Sequence, residues 1–414
     1  MYLLDRLLRA VIKEGRLDII DADDRLHTYG TPSAAHPDVT IVLKDRRLYH
    51  RLAFRPQLCF GEAYMDGDVE ISRGTLSDAL NLLLVNFSRA RNRRRSILSA
   101  LTIWTMQRLT QANGRLKSFR NVAHHYDLSS QLYHSFLDSD LQYSCGYFPS
   151  ADTELDAAQA AKKKHLAAKL LLNRNQRVLD IGCGWGGLAL ELARDNAISV
   201  EGITLSNEQL EVARRRAHEE RLSDRVWFSC KDYRDIAGEY DRIVSVGMFE
   251  HVGTPNYRKF FSKVYDLLSD DGVAVIHSIG SLDGPAFGNP WMRKYIFPGG
   301  YAPALSEVLP AVEASGLTLT DIEILRLHYA ETLSHWRERF LKNWQSIEHL
   351  YDARFRRMWE FYLAGCEAAF RHDGLMVFQL QLAKKLQTVP LTRDYIHQAE
   401  RSLAPRTSRS DQAA

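Results

Sequence analysis

No stretch of the chain approaches the roughly 20 uninterrupted apolar residues of a membrane-spanning helix, which sets aside a helical membrane protein as the expectation. The opening segment, Met1 to Arg9, breaks its apolar run with Asp5 and Arg6, unlike a secretory leader, so an intracellular protein is expected. Cysteine is scarce. Cys59, Cys145, Cys183, Cys230 and Cys366 are scattered and form no C-x-x-C pair, which argues against a disulfide framework or a cysteine zinc site and fits reduced thiols in a cytoplasm. No repeat is visible at a period of about twenty to fifty residues, so a solenoid or propeller is not indicated. Acidic residues are missing from one interval. Between Ala79 and Tyr126 there are nine basic residues and no acidic one, leaving 45 basic against 51 acidic elsewhere, although the whole chain carries only +3. What is present is an ordinary globular composition, 45% hydrophobic and 25% charged, over 414 residues, enough for two or three domains at ~150 residues each.

The first 88 residues read as a small α+β unit. Leu3 to Ile12 has helical apolar spacing, Val39 to Leu43 and Val69 to Ile71 read as strands, and a helix is expected from Leu76 to about Phe87. The basic run Arg89 to Arg95 leads into an amphipathic stripe from Ile97 to Leu109. A basic flank beside a Trp-bearing apolar stripe suggests a membrane surface, and residues 89–120 are read as a connector. The third unit, 121–401, alternates strand and helix. Thr153 with Asp156 resembles a capping box opening a helix through Leu172. Strands are expected at Val178 to Ile181, Val200 to Leu205, Val226 to Ser229, Tyr240 to Val246 and Val273 to Ser278, with helices between, which implies a parallel doubly wound sheet. Ser281 to Tyr301, rich in Gly, Pro and aromatics, reads as a long loop of the kind used as a lid or binding segment. Helices are expected at Leu305 to Ser315, His328 to Gln345 and Asp352 to Arg371, and residues 402–414 read as a disordered tail.

The chemistry concentrates at Val178-Leu-Asp-Ile-Gly-Cys-Gly-Trp-Gly-Gly-Leu188. A glycine turn between a buried strand and a helix lets backbone approach a ligand closely, with the helix amides behind it. The glycines at 182, 184, 186 and 187 do not have the spacing of a dinucleotide fingerprint, and no Walker lysine follows. The loop resembles the first motif of class I S-adenosylmethionine (AdoMet) methyltransferases, with Asp180, Gly182, Gly184 and Gly186 at the amino-acid part of the cofactor. By itself it leaves other nucleotide folds open. After the second strand the resemblance implies a ribose site at Thr204, Leu205 and Gln209, where many such enzymes carry an acidic residue. After the third it implies an adenine site, with Asp232 for the amino group, Tyr233 to stack and Arg234 alongside.

Five further segments occur in order: Asn121 to Asp127, Gln142 to Tyr147, Val246 to Gly253, Ile276 to Gly280 and Lys294 to Pro298. Together they resemble the cyclopropane fatty acid synthases, relatives of the mycolic acid cyclopropane synthases, over roughly residues 120–385. A weaker match covers Gly61 to Gly67. The resemblance implies a class I AdoMet-dependent methyltransferase fold, a Rossmann-like doubly wound α/β sheet, behind a small N-terminal α+β domain. It implies transfer of a methylene group from AdoMet to a cis double bond of a phospholipid acyl chain, with Tyr143 and Ser144 at the cofactor. An alkene is a weak nucleophile, so the donor methyl must be aligned with it, water excluded, and a base supplied for the proton lost at ring closure. In the family a bound bicarbonate is that base, and the resemblance puts its ligands on Cys145, Glu250, His277, the Ile279 backbone and Tyr329. Cys145 and His277 have the alternative of simple core packing. Tyr329 has a neighbour, His328, that a one-residue slip of alignment would put in its place. Cys366 matches a family cysteine sometimes regarded as catalytic. Its apolar helical setting favours a structural role, because methyl transfer to an alkene requires no thiolate. His124 and His125 read as part of a segment closing over the cofactor, with Asp127 as a helix cap, and no metal motif is formed.

The expected partners are unsaturated phospholipids at the inner face of the cell membrane, approached from the cytoplasm, with a homodimer as an open assembly. The small N-terminal domain is a candidate for lipid binding or dimerisation. No recognisable nucleic-acid module accompanies the Arg cluster. Product partition stays open between a cyclopropane and a methyl branch, alkene or alcohol, and the runner-up is a related AdoMet-dependent methyltransferase giving a methyl-branched or other modified fatty acid, or methylating an amine.

Overall fold

The structure, a computed structural model, describes residues 1–92 and 128–402. Helix α1 (Tyr2–Val11) places Leu4 and Leu8 one turn apart, and with Ile12 they form a single buried stripe. That stripe joins the core of a four-stranded sheet of β1 (Gly15–Ile20), β2 (Leu26–Thr31), β3 (Val39–Leu43) and β4 (Val69–Arg73), ordered β2-β1-β3-β4. The period-two pattern of Val39, Ile41 and Leu43 turns all three inward. Helices α2 (Leu48–Phe54) and α3 (Pro56–Asp66), which have no clear periodic signal, fill the connection from β3 to β4. Pro56 opens α3 where no intrahelical N–H is needed, and Gly67 ends it at φ 82°.

Helix α4 (Leu76–Asn92) continues beyond Phe87 and beyond the expected boundary at residue 88. Arg89, the first member of the basic run, pairs with Glu14 of the N-terminal unit. The run from Arg93, the Ile97 to Leu109 stripe, His124, His125, Asp127 and the tail from residue 403 lie outside the described residues.

Beyond α5 (Ser130–Phe136), α6 (Leu155–Leu170) begins without the expected capping box. The Thr153 hydroxyl accepts from the Ser150 amide, and Asp156 accepts from Ser139 N and Arg339, so Glu154 caps the helix with no side-chain bond. The alternation then follows as β5 (Arg177–Ile181), α7 (Gly187–Asp195), β6 (Ser199–Thr204), α8 (Asn207–Glu219), β7 (Val226–Cys230), β8 (Tyr240–Val246), α9 (Tyr257–Leu267) and β9 (Leu268–Ser281). The remaining elements are α10 (Pro290–Tyr295), α11 (Leu305–Glu313), β10 (Thr318–Leu325), α12 (His328–Asn343), α13 (Ala353–His372), β11 (Leu375–Ala383) and α14 (Asp394–Ser402).

The large sheet has the order β10-β11-β9-β8-β5-β6-β7. The strands from β9 to β7 are parallel, as the alternation predicts, but β11 runs antiparallel to both β9 and β10. Neither β10 nor β11 is among the expected strands. β11 is buried on both faces, although Gln379 and Gln381 alternate with Phe378, Leu380 and Leu382.

Ser281 to Tyr301 is not purely a loop, because α10 buries Trp291 against the first unit. The indole Nε1–H donates to Met65 Sδ (3.3 Å), and its ring lies 4.7 Å from Phe361. A Cβ at Gly61 would stand 2.6 Å from that nitrogen, which explains the glycine there. Lys294 to Glu62 (2.6 Å), Tyr64 to Glu360 (3.2 Å) and Arg354 to Asp66 (2.8 Å) surround this contact. Met65, Leu76 and Leu80 consequently share one hydrophobic core with α12 and α13.

Candidate active site

The carboxyl ends of β5, β6, β7 and β8 open onto a cavity of about 150 Å³, the position where ligands bind in doubly wound sheets. Gly182 (φ 88°) and Gly184 (φ 55°) line it, in a backbone region that disfavours side chains. A Cβ on Gly184 would meet nothing within 4 Å, so the turn presents bare backbone to the cavity. Gly186 has another function. It does not line the cavity, and a Cβ there would collide with Phe228 at 2.7 Å, so this glycine packs the turn against β7 and α8.

Asp180 ends β5 at the cavity wall, only 1% exposed, and its Oδ2 has no hydrogen-bond partner. Burial pushes its pKa up to about 7. A buried carboxylate oxygen without a donor fits the ammonium of an amino-acid ligand. At the opposite wall, Thr204 donates to Gln209 Oε1 (2.9 Å), which leaves the Gln209 Nε2 hydrogens as donors for a ribose. Leu205 lies beside them. Asp232, Tyr233 and Arg234 also line the cavity, but Asp232 is not the free acceptor that the sequence implies. Arg234 forks it through Nε (2.7 Å) and Nη2 (2.5 Å), so the pair forms a fixed wall. Tyr233 sets its ring edge-on to Phe260 at 5.2 Å, and burial raises its pKa to about 12. Tyr143 and Ser144 complete the wall from the loop before α6. These donors and acceptors suit AdoMet, whose amino-acid, ribose and adenine parts would meet Asp180 and the glycine turn, Gln209, and Tyr233 respectively.

Behind the cavity, Glu250 lies in a short 3-10 turn between His251, which lines it, and the core residue Phe249. Glu250 Oε1 accepts the Ile279 amide (2.7 Å), while Oε2 is buried without a partner, and burial raises the pKa to about 7. The resemblance implies that the Ile279 backbone binds an anion; its N–H instead orients Glu250. His277, two residues earlier on β9, is 2% exposed and kept neutral, its pKa pushed down to about 3 by burial. Gln379, its register partner on β11, contacts His277 Nδ1 at 3.1 Å, an arrangement that leaves Nε2 as the protonated nitrogen. Ile279 packs on the same core as Cys145 and Tyr329. Burial raises the Cys145 pKa, so it is a thiol, and the Tyr329 ring meets Trp336 at 5.7 Å and Phe370 at 4.9 Å. Glu250, His277, Cys145 and Tyr329 are all buried, and the Cys145 thiol donates to the Gly146 carbonyl (3.2 Å). Cys366 also reaches this core, but burial pushes its pKa up to about 12, which makes it a poor nucleophile.

Two residues of α6 that the sequence reading passes over support this wall. Gln159 Nε2 donates to the Ser144 carbonyl (2.9 Å), and Lys162 Nζ donates to Gln142 Oε1 (2.6 Å) and Ser144 Oγ (2.8 Å). The run Lys162-Lys-Lys-His165 looks like a solvated face. The register Leu155, Gln159, Lys162, Leu166, Lys169 nevertheless follows the buried stripe, and that spacing is the signal that identifies them.

Residues 114–380 match the family model described as mycolic acid cyclopropane synthetase, and residues 5–90 match a domain of unknown function. A probable fatty acid methyltransferase of Pseudomonas putida is 36% identical over 84% of this chain and 88% of its own length. The cyclopropane-fatty-acyl-phospholipid synthase of Escherichia coli strain K12 is 35% identical over 88% of this chain and 93% of its own. The solved structure of the mycolic acid cyclopropane synthase CmaA1 complexed with SAH and CTAB is 32% identical, covers 64% of this chain and 97% of that one, and aligns with a TM-score of 0.61.

Proposed function

The chain belongs to the mycolic acid cyclopropane synthetase family, and from that premise we propose that it transfers a methylene group from AdoMet to the cis double bond of an unsaturated phospholipid acyl chain. The observation that carries this reading is Glu250, a buried carboxyl with one oxygen anchored and one unpartnered, between the cofactor cavity and an aromatic core.

Bound in the cavity, AdoMet supplies an electrophilic methyl group. Asp180 and the turn Gly182 to Gly184 bind its amino-acid end, Gln209 its hydroxyls and Tyr233 its base. Tyr143, whose hydroxyl meets that of Tyr362 at 2.7 Å, closes the cavity against the aromatic core and excludes water from the reacting carbon. Glu250, His277, Cys145 and Tyr329 hold bicarbonate as the base that removes the proton released when the ring closes. Ile279 and Gln379 hold Glu250 and His277 in place. Cys366 packs the core.

Among the described residues no helix is long and apolar enough to cross a membrane. A phospholipid substrate supports work at the cytoplasmic face of a bilayer, with the basic segment 89–120 as connector, the N-terminal unit binding lipid or a second copy, and a homodimer as the assembly. Incubating the protein with AdoMet and vesicles of unsaturated phospholipid, then weighing the fatty acids, tests the reading. A gain of one CH2 with loss of the double bond is expected. The same mass with the double bond retained would indicate a methyl-branched alkene, and methylation of a soluble amine with untouched lipid would overturn the proposal.

A further inference from the structure

Lys162 is fully buried, yet among the described residues it forms no ion pair; both acceptors of its Nζ, Gln142 Oε1 and Ser144 Oγ, are neutral. Its neighbours on the same helix differ. Lys163 contacts Asp140 at 2.6 Å and also Glu191, and Lys169 contacts Glu323 and, at 3.6 Å, Asp321. A buried ammonium without a contacting counter-charge is costly, and burial pulls its pKa down to about 8 although the nearby Asp138 and Asp140, which it does not touch, raise it. Such a charge is retained where an anion completes it.

The two acceptors indicate where that anion sits, because Gln142 and Ser144 both line the cofactor cavity. Gln142 is held at its other end, its Nε2 donating to Asp140 Oδ2 (3.0 Å), so it is fixed in the wall. Ser144 is not. Its oxygen accepts from the ammonium, which leaves the hydroxyl hydrogen, polarised by the charge behind it, to donate onward. Asp180, the cation-seeking group, lines the same cavity.

We propose that Lys162 is a positioning residue for the α-carboxylate of the cofactor, acting through the Ser144 hydroxyl, while Asp180 takes the α-ammonium. This rests on the reading of the cavity as an AdoMet site. One zwitterionic amino-acid group thereby gives contacting partners to two buried charges that touch no opposite charge within the fold.

Calorimetric titration of the full chain with S-adenosylhomocysteine (SAH) and with 5′-methylthioadenosine, which lacks the amino-acid portion, tests the proposal. Lys162→Met is expected to weaken SAH binding by about tenfold or more, the scale of one charge-assisted hydrogen bond. Methylthioadenosine binding should stay within about twofold of the parent, since it makes no contact with this wall. Equal weakening of both ligands would show a merely structural lysine and overturn the proposal. Unchanged SAH binding with a higher bicarbonate requirement for turnover would assign the charge to the anion pocket and overturn it as well. Should Lys162→Met fail to fold, Ser144→Ala carries the test. It removes the donor and keeps the lysine, so SAH alone should weaken, and no selective loss would refute the relay. A parent protein that binds neither ligand would refute the AdoMet reading itself.

Discussion

Two buried lysines of α6, Lys162 and Lys169, handle charge in opposite ways. At the carboxyl end, His165 contacts Glu323 (2.7 Å) and Glu400 (2.6 Å), its ring stacks on Tyr147 at 4.4 Å, and Lys169 joins Glu323. Despite burial, His165 and Lys169 hold the Glu323 carboxyl well below the usual range. Every charge there has its partner within the fold. At the middle of the helix, Lys162 contacts only neutral acceptors, and in the cavity it helps to wall, Asp180 Oδ2 has no hydrogen-bond partner. A self-paired cluster holds elements together, here tying α14 and β10 to α6. An unpaired one is unfinished until a ligand arrives.

The comparison is most strongly tested at Glu250. Glu250→Gln should leave SAH affinity near that of the parent and reduce turnover by about a hundredfold or more, the scale of lost acid–base and anion positioning; single-turnover assays with unsaturated vesicles measure it. Turnover that stays unchanged would remove Glu250 from the anion pocket. Next in size, Asp180→Asn should weaken SAH about tenfold or more while sparing methylthioadenosine, because a neutral amide replaces the ammonium's counter-charge.

At the self-paired end, Glu323→Gln should leave the SAH-to-methylthioadenosine ratio unchanged but destabilise the fold by about 3 kcal/mol, since it leaves Lys169 and His165 without their shared anion; denaturant melts measure the loss. A changed ligand ratio with unchanged stability would reverse the assignment of the two lysines. The pH response comes next. Asp180 is raised to about 7, so the native state holds this proton more tightly than the unfolded chain does. Its stabilising contribution is therefore complete below an unfolded pKa of about 4 and is lost as pH rises through about 7. SAH pairs with the ionised form, so its binding should weaken by up to about tenfold per unit below pH 7 and release a proton, read by titration in buffers of different ionisation enthalpy. Asp180→Asn should abolish both effects. Smallest of all, Cys366→Ala should destabilise by about 1 kcal/mol and keep most of the turnover, because its thiol only packs the core.

Much of the fold was legible because local periodicity carried it. β5 through β9 and the helices between them follow apolar spacing, and Gly182 and Gly184 announced a close backbone approach at the end of β5. β10 and β11 do carry a period-two signal, Ile322 and Ile324 alternating with Asp321 and Glu323, and Phe378, Leu380 and Leu382 around Gln379 and Gln381, but they lie outside the strand-helix alternation and β11 runs antiparallel to its neighbours. The thiol and imidazole of Cys145 and His277 were named from ordered motifs, but their protonation follows from burial that no motif states. Asp232 and Ile279 were read as meeting a ligand; a local fork from Arg234 engages the first, and a tertiary contact with Glu250 the second.

The sequence by itself determined the alternation from β5 to β9, the glycine turn and the family, since each depends on residues near one another in the chain. Only the tertiary structure decided which charges are completed inside the fold and which await a ligand. Lys162 and Lys169 are seven residues apart on one helical face and are alike in sequence. Glu323 pairs with one of them from more than a hundred and fifty residues away, and among the described residues no carboxylate makes a contacting ion pair with the other. Electrostatic pairing depends on distance through space, and in a long chain that distance is set by packing.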